Sequence, residues 1–290
     1  RIYVQGISWV KAVIHRKPIG KLKNITVTVN PSGTVYASCL FDDGLEAPVP
    51  ELPEKPKVIG IDLNLERLAV CSDGREYENP RTLKQYEKRL RHLQKLLSKK
   101  KKGSGNWKKL KTEIAVLHEK IANTRKDGIH KMTKKIVCDS QAEVIVIEDL
   151  NVAGMMKNRK LSKHIQDASF FEIRRQLEYK SLFYGKTLMT ADRFFASSRT
   201  CSVCGWHNAE LTLSDREWEC KVCHTRQDRD RNAALNLESF GLKALAGDAG
   251  EVKPPEMPTV DGRAEMHLRS MASVNEEKDH GYSMEAFRLA

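Results

Sequence analysis

The chain has 290 residues, 40% of them hydrophobic, with 50 Lys and Arg against 38 Asp and Glu for a formal net charge of +12. A mean hydropathy of -0.52 and the lack of any apolar stretch long enough for a bilayer exclude a helical membrane protein, while the excess positive charge predicts a polyanionic partner, usually nucleic acid, without separating DNA from RNA. The odd total of seven cysteines argues against a secreted disulfide framework and for a reducing, cytoplasmic compartment.

Arg1-Ile2-Tyr3-Val4 reads as neither a signal nor a transit peptide, and the lack of an initiator methionine predicts a chain cut from something longer. Ile25, Val27 and Val29 alternate with polar residues, Asn30-Pro31-Ser32-Gly33 reads as a turn, and Thr34 to Leu40 resumes the extended pattern, so a β-hairpin is predicted. With Trp9 to Ile14 it makes residues 1–44 part of a β-barrel. Pro48, Pro50, Pro53 and Pro56 sustain neither a helix nor a central strand, which marks 45–56 as a linker.

A core domain is predicted over 57–200. Val58 to Leu63 is an apolar run interrupted by Asp62, and Leu68 to Cys71 with the turn Ser72-Asp73-Gly74 supplies an antiparallel neighbour. A carboxylate inside a buried strand is costly unless paired, and a divalent cation is the economical partner; the plainer reading makes Asp62 a turn residue at the strand end. An insertion at about 80–140 follows. Leu83, Tyr86, Leu90, Leu93 and Leu97, then Trp107, Leu110, Ile114, Leu117 and Ile121, recur at steps of three and four, as two packed helices of an antiparallel hairpin do. A third helix is expected over about 125–139. Lys88, Arg89, Arg91, Lys95, Lys99, Lys100, Lys101 and Lys102 make the outer face and tip of the hairpin basic, which is a solvated surface by itself and a phosphate-binding one beside paired acids that need a nucleic-acid substrate.

Val144 to Ile147 is a β-branched strand delivering Glu148-Asp149 at its carboxyl end. These two acids point to opposite faces, so only one can join Asp62. A helix over 169–184 and a strand near 187–190 should follow. Cys201, Cys204, Cys220 and Cys223 then form a C-x2-C-x15-C-x2-C array, the spacing of a closed, structural zinc ribbon over 201–223. His207 and His224 are expected to be bystanders. A final helix is predicted over 224–240, with Asp228 or Asp230 at its start, either of which also suits a capping role. From 241 to 290, Gly and Pro with few large apolar residues predict a disordered tail.

Acids on two strands and one helix, separated by long insertions, are what an RNase H-like nuclease needs to hold divalent ions. No nucleophile triad or glycine-rich phosphate loop competes. The segments Gly60-Ile61-Asp62-Leu63, Ile147-Glu148-Asp149-Leu150-Asn151, Phe194-Phe195-Ala196-Ser197-Ser198-Arg199-Thr200-Cys201, the cysteine array and Asp228-Arg229-Asp230-Arg231-Asn232-Ala233-Ala234 occur in an order that resembles the TnpB (OrfB) family of insertion sequences, related to type V CRISPR effectors. The resemblance covers about 1–237. It implies an α/β, RuvC-like core with an inserted helical hairpin and a zinc ribbon, acting as an endonuclease that uses a guide RNA from the transposon end to cut double-stranded DNA.

The same resemblance implies Asp62, Glu148 and Asp230 as catalytic, Mg²⁺-binding acids, with structural Zn²⁺ on the four cysteines. Family members usually carry glycine where this chain has Asn64 and proline where it has Ala196, and neither position is expected to touch a ligand. They also carry a further N-terminal portion that grips guide and target. The alternatives are a related nucleic-acid-binding protein that no longer cuts, and a strand-joining transposase using the same metal chemistry.

Overall fold

The computed structural model describes residues 2–4, 6, 8–14, 19–46, 48–212, 214–247 and 287–289. The chain divides into two compact units, one drawn from 1–47, 81–131 and 260–290, the other from 48–80 and 132–259. The irregular, proline-rich segment predicted as a linker contains the first boundary between them.

In the first unit, β1 (Ile2–Val4) and β2 (Ser8–Val10) form an antiparallel pair, followed by β3 (Ala12–Val13), β4 (Lys21–Val29) and β5 (Val35–Asp42). The β4–β5 hairpin closes where the sequence predicts. Asn30 N–H donates to Thr34 O and Gly33 N–H to Asn30 O, both at 2.9 Å, and Gly33 takes φ +88°, a conformation open to glycine at little cost. Helix α1 (Thr82–Ser98) and α2 (Gly105–Asp139) pack through Leu93, Leu117 and Ile121, with Leu83, Tyr86, Leu90, Leu110 and Ile114 around them, the stripe read from the sequence. The separate third helix does not exist. Nothing between Ile121 and Arg125 breaks a helix, since Ala122-Asn123-Thr124 includes neither proline nor glycine, so α2 continues to Asp139.

The second unit is built on a five-stranded mixed sheet, order β10-β9-β6-β7-β8, made from β6 (Val58–Asp62), β7 (Arg67–Cys71), β8 (Glu76–Glu78), β9 (Val144–Glu148) and β10 (Thr187–Ala191). β7 runs antiparallel to its neighbours β6 and β8, whereas β9 and β10 run parallel to β6. Every residue of β6 is buried, as expected for a central strand covered on both faces. After β9 come the short helices α3 (Val152–Met156) and α4 (Ser162–Ala168), then α5 (Phe170–Phe183); after β10 come the hairpin β11 (Glu217–Glu219) and β12 (Arg226–Asp228), then α6 (Arg229–Leu245).

Helix α6 lies against the sheet at two glycines. A Cβ on Gly60 would sit 2.0 Å from Ala234 O, and one on Gly241 would sit 2.6 Å from Val146 Cγ2. The Gly60→Ala substitution drives a methyl into backbone and should lower the melting temperature by roughly 6–12 °C, for overpacking worth about 3 kcal/mol. Gly128→Ala, with open space around the added Cβ, should slightly raise it. Thermal melts of the two variants check this, and equal melting temperatures would refute the close approach.

Two boundaries differ from expectation. The last helix passes 240 to reach Leu245, because Phe240, Ala244 and Leu245 pack onto the cluster of Val58, Val144, Val146 and Leu237. Within the tail expected to be disordered, β13 (Phe287–Leu289) pairs with β3 and β5; residues 248–286 lie outside those described. Among the described residues the order β3-β13-β5-β4 is an open four-stranded sheet separate from β1–β2, and no closed barrel is formed.

Candidate active site

Asp62 and Glu148 are the last residues of two adjacent parallel strands. Ile61 pairs with Ile147, so the next residues on each strand are in register and share one face of the sheet. Asp230 arrives from α6. One helical turn before Ala234, whose carbonyl presses on Gly60, it reaches the sheet at the level where β6 delivers Asp62 two residues further on. The three side chains that the resemblance singles out therefore converge. Asp62 is 8% and Asp230 3% exposed, and burial followed by the charges of Glu148 and Asp230 pushes the Asp62 carboxyl up to about 8. Burial also raises Glu148, against the hydrogen bond it accepts from Ser197 Oγ.

Asp149, on the opposite side of its strand, is tied to Arg174 Nη1 at 2.8 Å and Arg193 Nη2 at 2.6 Å. Partial burial opposes its charge, but the two guanidinium groups hold its carboxyl below the usual range. Asp228 is the N-cap of α6, accepting from Arg231 N–H at 2.9 Å, which satisfies one of the orphan donors of the first turn. The neighbouring acids thus differ in setting: Asp149 is held by two guanidinium groups and Asp228 caps α6, whereas Glu148 and the buried Asp230 lie near enough to Asp62 to raise its carboxyl.

The structure also brings in residues that the sequence reading passed over. Asn64 touches a candidate ligand after all. Its Nδ2 donates to Asp62 Oδ2 at 2.9 Å, and its Oδ1 accepts from the N–H groups of Glu66 and Arg67, a local turn that a glycine at this position could not make. Arg67 Nη2 lies 2.8 Å from both Asp228 oxygens and from Asp230 Oδ2, while Arg229 reaches Asp230 Oδ1 at 3.0 Å. The buried amides of Asn232 and Asn236 grip the loop that carries Ser197, donating to Ser197 O and Thr200 O. Ser197, Asn232 and Asn236 lie in or beside the quoted motifs, but nothing in the sequence marks Arg67.

The four cysteines gather with their sulfur atoms within 4.8 Å of one another, the one such group of three or more ligating side chains among the described residues; the carboxylates form a looser set. Cys201 and Cys223 are 3.6 Å apart and Cys204 and Cys220 3.5 Å. Each Cys-x2-Cys pair bends into a knuckle, in which Cys201 O accepts from Gly205 N–H and Cys220 O from His224 N–H, both at 2.9 Å. The cluster is compatible with a zinc site and closes without either histidine. The eight basic residues of the hairpin are all exposed on α1 and its following turn in the first unit. Arg89 and Arg91 pair there with Glu113 and Glu87.

Comparison with known proteins adds to this geometry. A family model described as "Probable transposase" matches residues 26–159, and one described as "Cas12f1-like, TNB domain" matches 170–237. The "Putative RNA-guided DNA endonuclease InsQ" of Escherichia coli K12 is 32% identical over 92% of this chain and 68% of its own length. The chain belongs to the TnpB (OrfB) family. Another member, a "Putative RNA-guided DNA endonuclease" of Streptomyces pristinaespiralis, is 36% identical over 83% of this chain. The chain spans 58% of that relative's length. A solved Cas12f1–sgRNA–target DNA complex is similar over 65% of this chain at 20% identity, with a TM-score of 0.49. No helix among the described residues is long and apolar enough to cross a membrane.

Proposed function

We propose that this TnpB-family chain is an RNA-guided, metal-dependent DNA endonuclease with an RNase H-like, RuvC-type core, in which Asp62, Glu148 and Asp230 hold Mg²⁺. The observation that carries the reading is the buried Asp62 carboxylate, placed beside Glu148 with only Asn64 donating a side-chain hydrogen bond to it among the described residues. Two like charges in a low-dielectric site call for a cation, and oxygen donors suit a hard one. Around Asp230 the guanidinium groups of Arg67 and Arg229 already balance the charge, so the place of greatest need lies between Asp62 and Glu148. A sheet of three antiparallel strands extended by two parallel ones, with the acids at the strand ends, supports the fold assignment.

Divalent ions held there by Asp62, Glu148 and Asp230 would supply activation of water for in-line attack and charge stabilisation of the leaving 3′ oxygen. The protein's own part is positional. Ser197 orients Glu148, Asn64 orients Asp62, and the α6 amides fix the Ser197 loop against the sheet. We assign Zn²⁺ to the cysteine cluster, where four thiolates leave no position for substrate, and phosphate contacts to the exposed basic residues of the helical hairpin.

The test is to co-express the chain with its flanking genomic DNA, sequence any RNA that co-purifies, and assay Mg²⁺-dependent cutting of a DNA library. A discrete RNA and cutting that disappears in Asp230→Asn are expected. Folded, zinc-loaded protein with neither RNA nor cutting would favour the non-cleaving alternative.

A further inference from the structure

Phe194 is 89% exposed, although burial of an aromatic ring is the normal route to stability. Its exposure is enforced from both sides. Asp192 Oδ1 accepts from Phe194 N–H at 2.8 Å and Asp192 O from Phe195 N–H at 3.0 Å, closing a tight turn. Arg193 is anchored to Asp149, and the Phe195 ring packs against Phe240 at 5.1 Å, tilted by 55°. The ring is thus held outward by a framework whose neighbours are all engaged, and ordering it for a ligand costs little further entropy.

The position of this ring points to what it meets. Arg193 holds the residue next to Glu148, and Ser197, three residues beyond Phe194, bonds Glu148 itself. The other guanidinium on Asp149 comes from Arg174, one turn after Phe171, which is 70% exposed. Two exposed rings therefore flank, along the chain, the two arginines that hold Asp149, the residue that follows Glu148. The segment that follows the Glu148 strand adds exposed Lys157, Arg159, Lys160 and Lys163, with no acid between 157 and 163.

We infer that Phe194, assisted by Phe171, is a stacking platform for an unpaired base of the DNA strand led to the acid cluster. Aromatic faces beside backbone-neutralising cations are how single strands are held without sequence preference, and a strand that must reach a buried carboxylate set has to leave its duplex. The inference rests on the nuclease reading above and names the contact that would deliver its substrate.

The experiment measures binding of the whole zinc-loaded chain to a fluorescent single-stranded oligothymidylate, at low salt and without Mg²⁺, beside an abasic strand of equal length. Phe194→Ala should weaken oligothymidylate binding about tenfold while leaving abasic binding, zinc content and melting temperature unchanged. Phe194→Trp should keep the affinity and show fluorescence quenching on binding. Val49→Ala, which removes an apolar side chain 81% exposed, should have no effect. Affinity unchanged in Phe194→Ala, or an abasic strand bound as tightly as the intact one by the unaltered chain, overturns the platform while leaving the nuclease reading standing. Failure of the unaltered chain to bind either strand also overturns the platform, and the nuclease reading then stands or falls on its own cutting assay. If Phe194→Ala misfolds, the abasic comparison and the tryptophan variant decide.

Discussion

Replacing Asp62 by Asn is expected to abolish Mg²⁺-dependent cutting, by about 10³-fold or more, and at the same time to raise the melting temperature of the metal-free protein. The first effect follows from losing a charged oxygen donor where a divalent ion offers several kcal/mol of transition-state stabilisation. The second follows from burial. Folding removes the Asp62 carboxylate from water and sets it beside Glu148 and Asp230, which pushes its carboxyl up to about 8. A carboxyl raised on folding binds more protons in the folded than in the unfolded state between its ordinary value and the raised one, so stability falls as pH rises through that window.

The metal-free wild type should therefore melt lower at about pH 8.5 than at about pH 5.5, and Mg²⁺ should recover part of the loss. The Asn variant, isosteric and uncharged, should show a flatter profile and gain several degrees at the higher pH, since about 1 kcal/mol moves the midpoint by roughly 2–4 °C in a chain of this size. Nucleic-acid affinity should change little, because the phosphate contacts are assigned to other residues. Equal losses of cutting and of binding, or a pH profile that the substitution leaves untouched, would remove Asp62 from the metal site.

The cysteine cluster carries the second large effect. Apart from its sulfurs, the buried apolar core around it consists of Leu211 and Trp218, with Trp206 partly buried beside them, too little to hold a fold unaided. In such small modules metal binding free energy is folding free energy. Cys201→Ala should take the zinc content from about one per chain to none and lower the melting temperature by roughly 10 °C or more. Chelator treatment of the wild type should reproduce the change and shift the emission of Trp206 and Trp218, whose rings lie 6.4 Å apart.

The damage should also travel toward the acids. Ser202 N–H donates to Asn232 Oδ1 and Thr200 O accepts from Asn232 and Asn236, so the first knuckle is fastened to α6 through the loop that bears Ser197. Freed from the ribbon, that loop loses its hold on Glu148, and cutting should fall together with zinc. A zinc-free protein that melts normally would refute the structural role.

Local patterns carried most of what the amino-acid sequence by itself determined. Cysteine spacing marked the ribbon, steps of three and four marked the hairpin stripe, and β-branched runs ending in acid marked β6 and β9, because each of these signals is confined to neighbouring residues with a fixed period. The choice between neighbours was not legible in this way. Glu148 against Asp149 and Asp230 against Asp228 are one or two residues apart, and it is the register of β6 with β9 and the seat of α6 on Gly60 that set Glu148 and Asp230 near Asp62. Asn64 looked remote from any ligand until its turn brought Nδ2 to Asp62. Arg67 carried no signal, since Asp228 and Asp230, its partners at the site, lie more than 160 residues away. The extension of α6 past 240 was likewise decided by packing. Periodicity and spacing are properties of the chain, whereas charge compensation and the orientation of an acid depend on which distant elements the fold brings together.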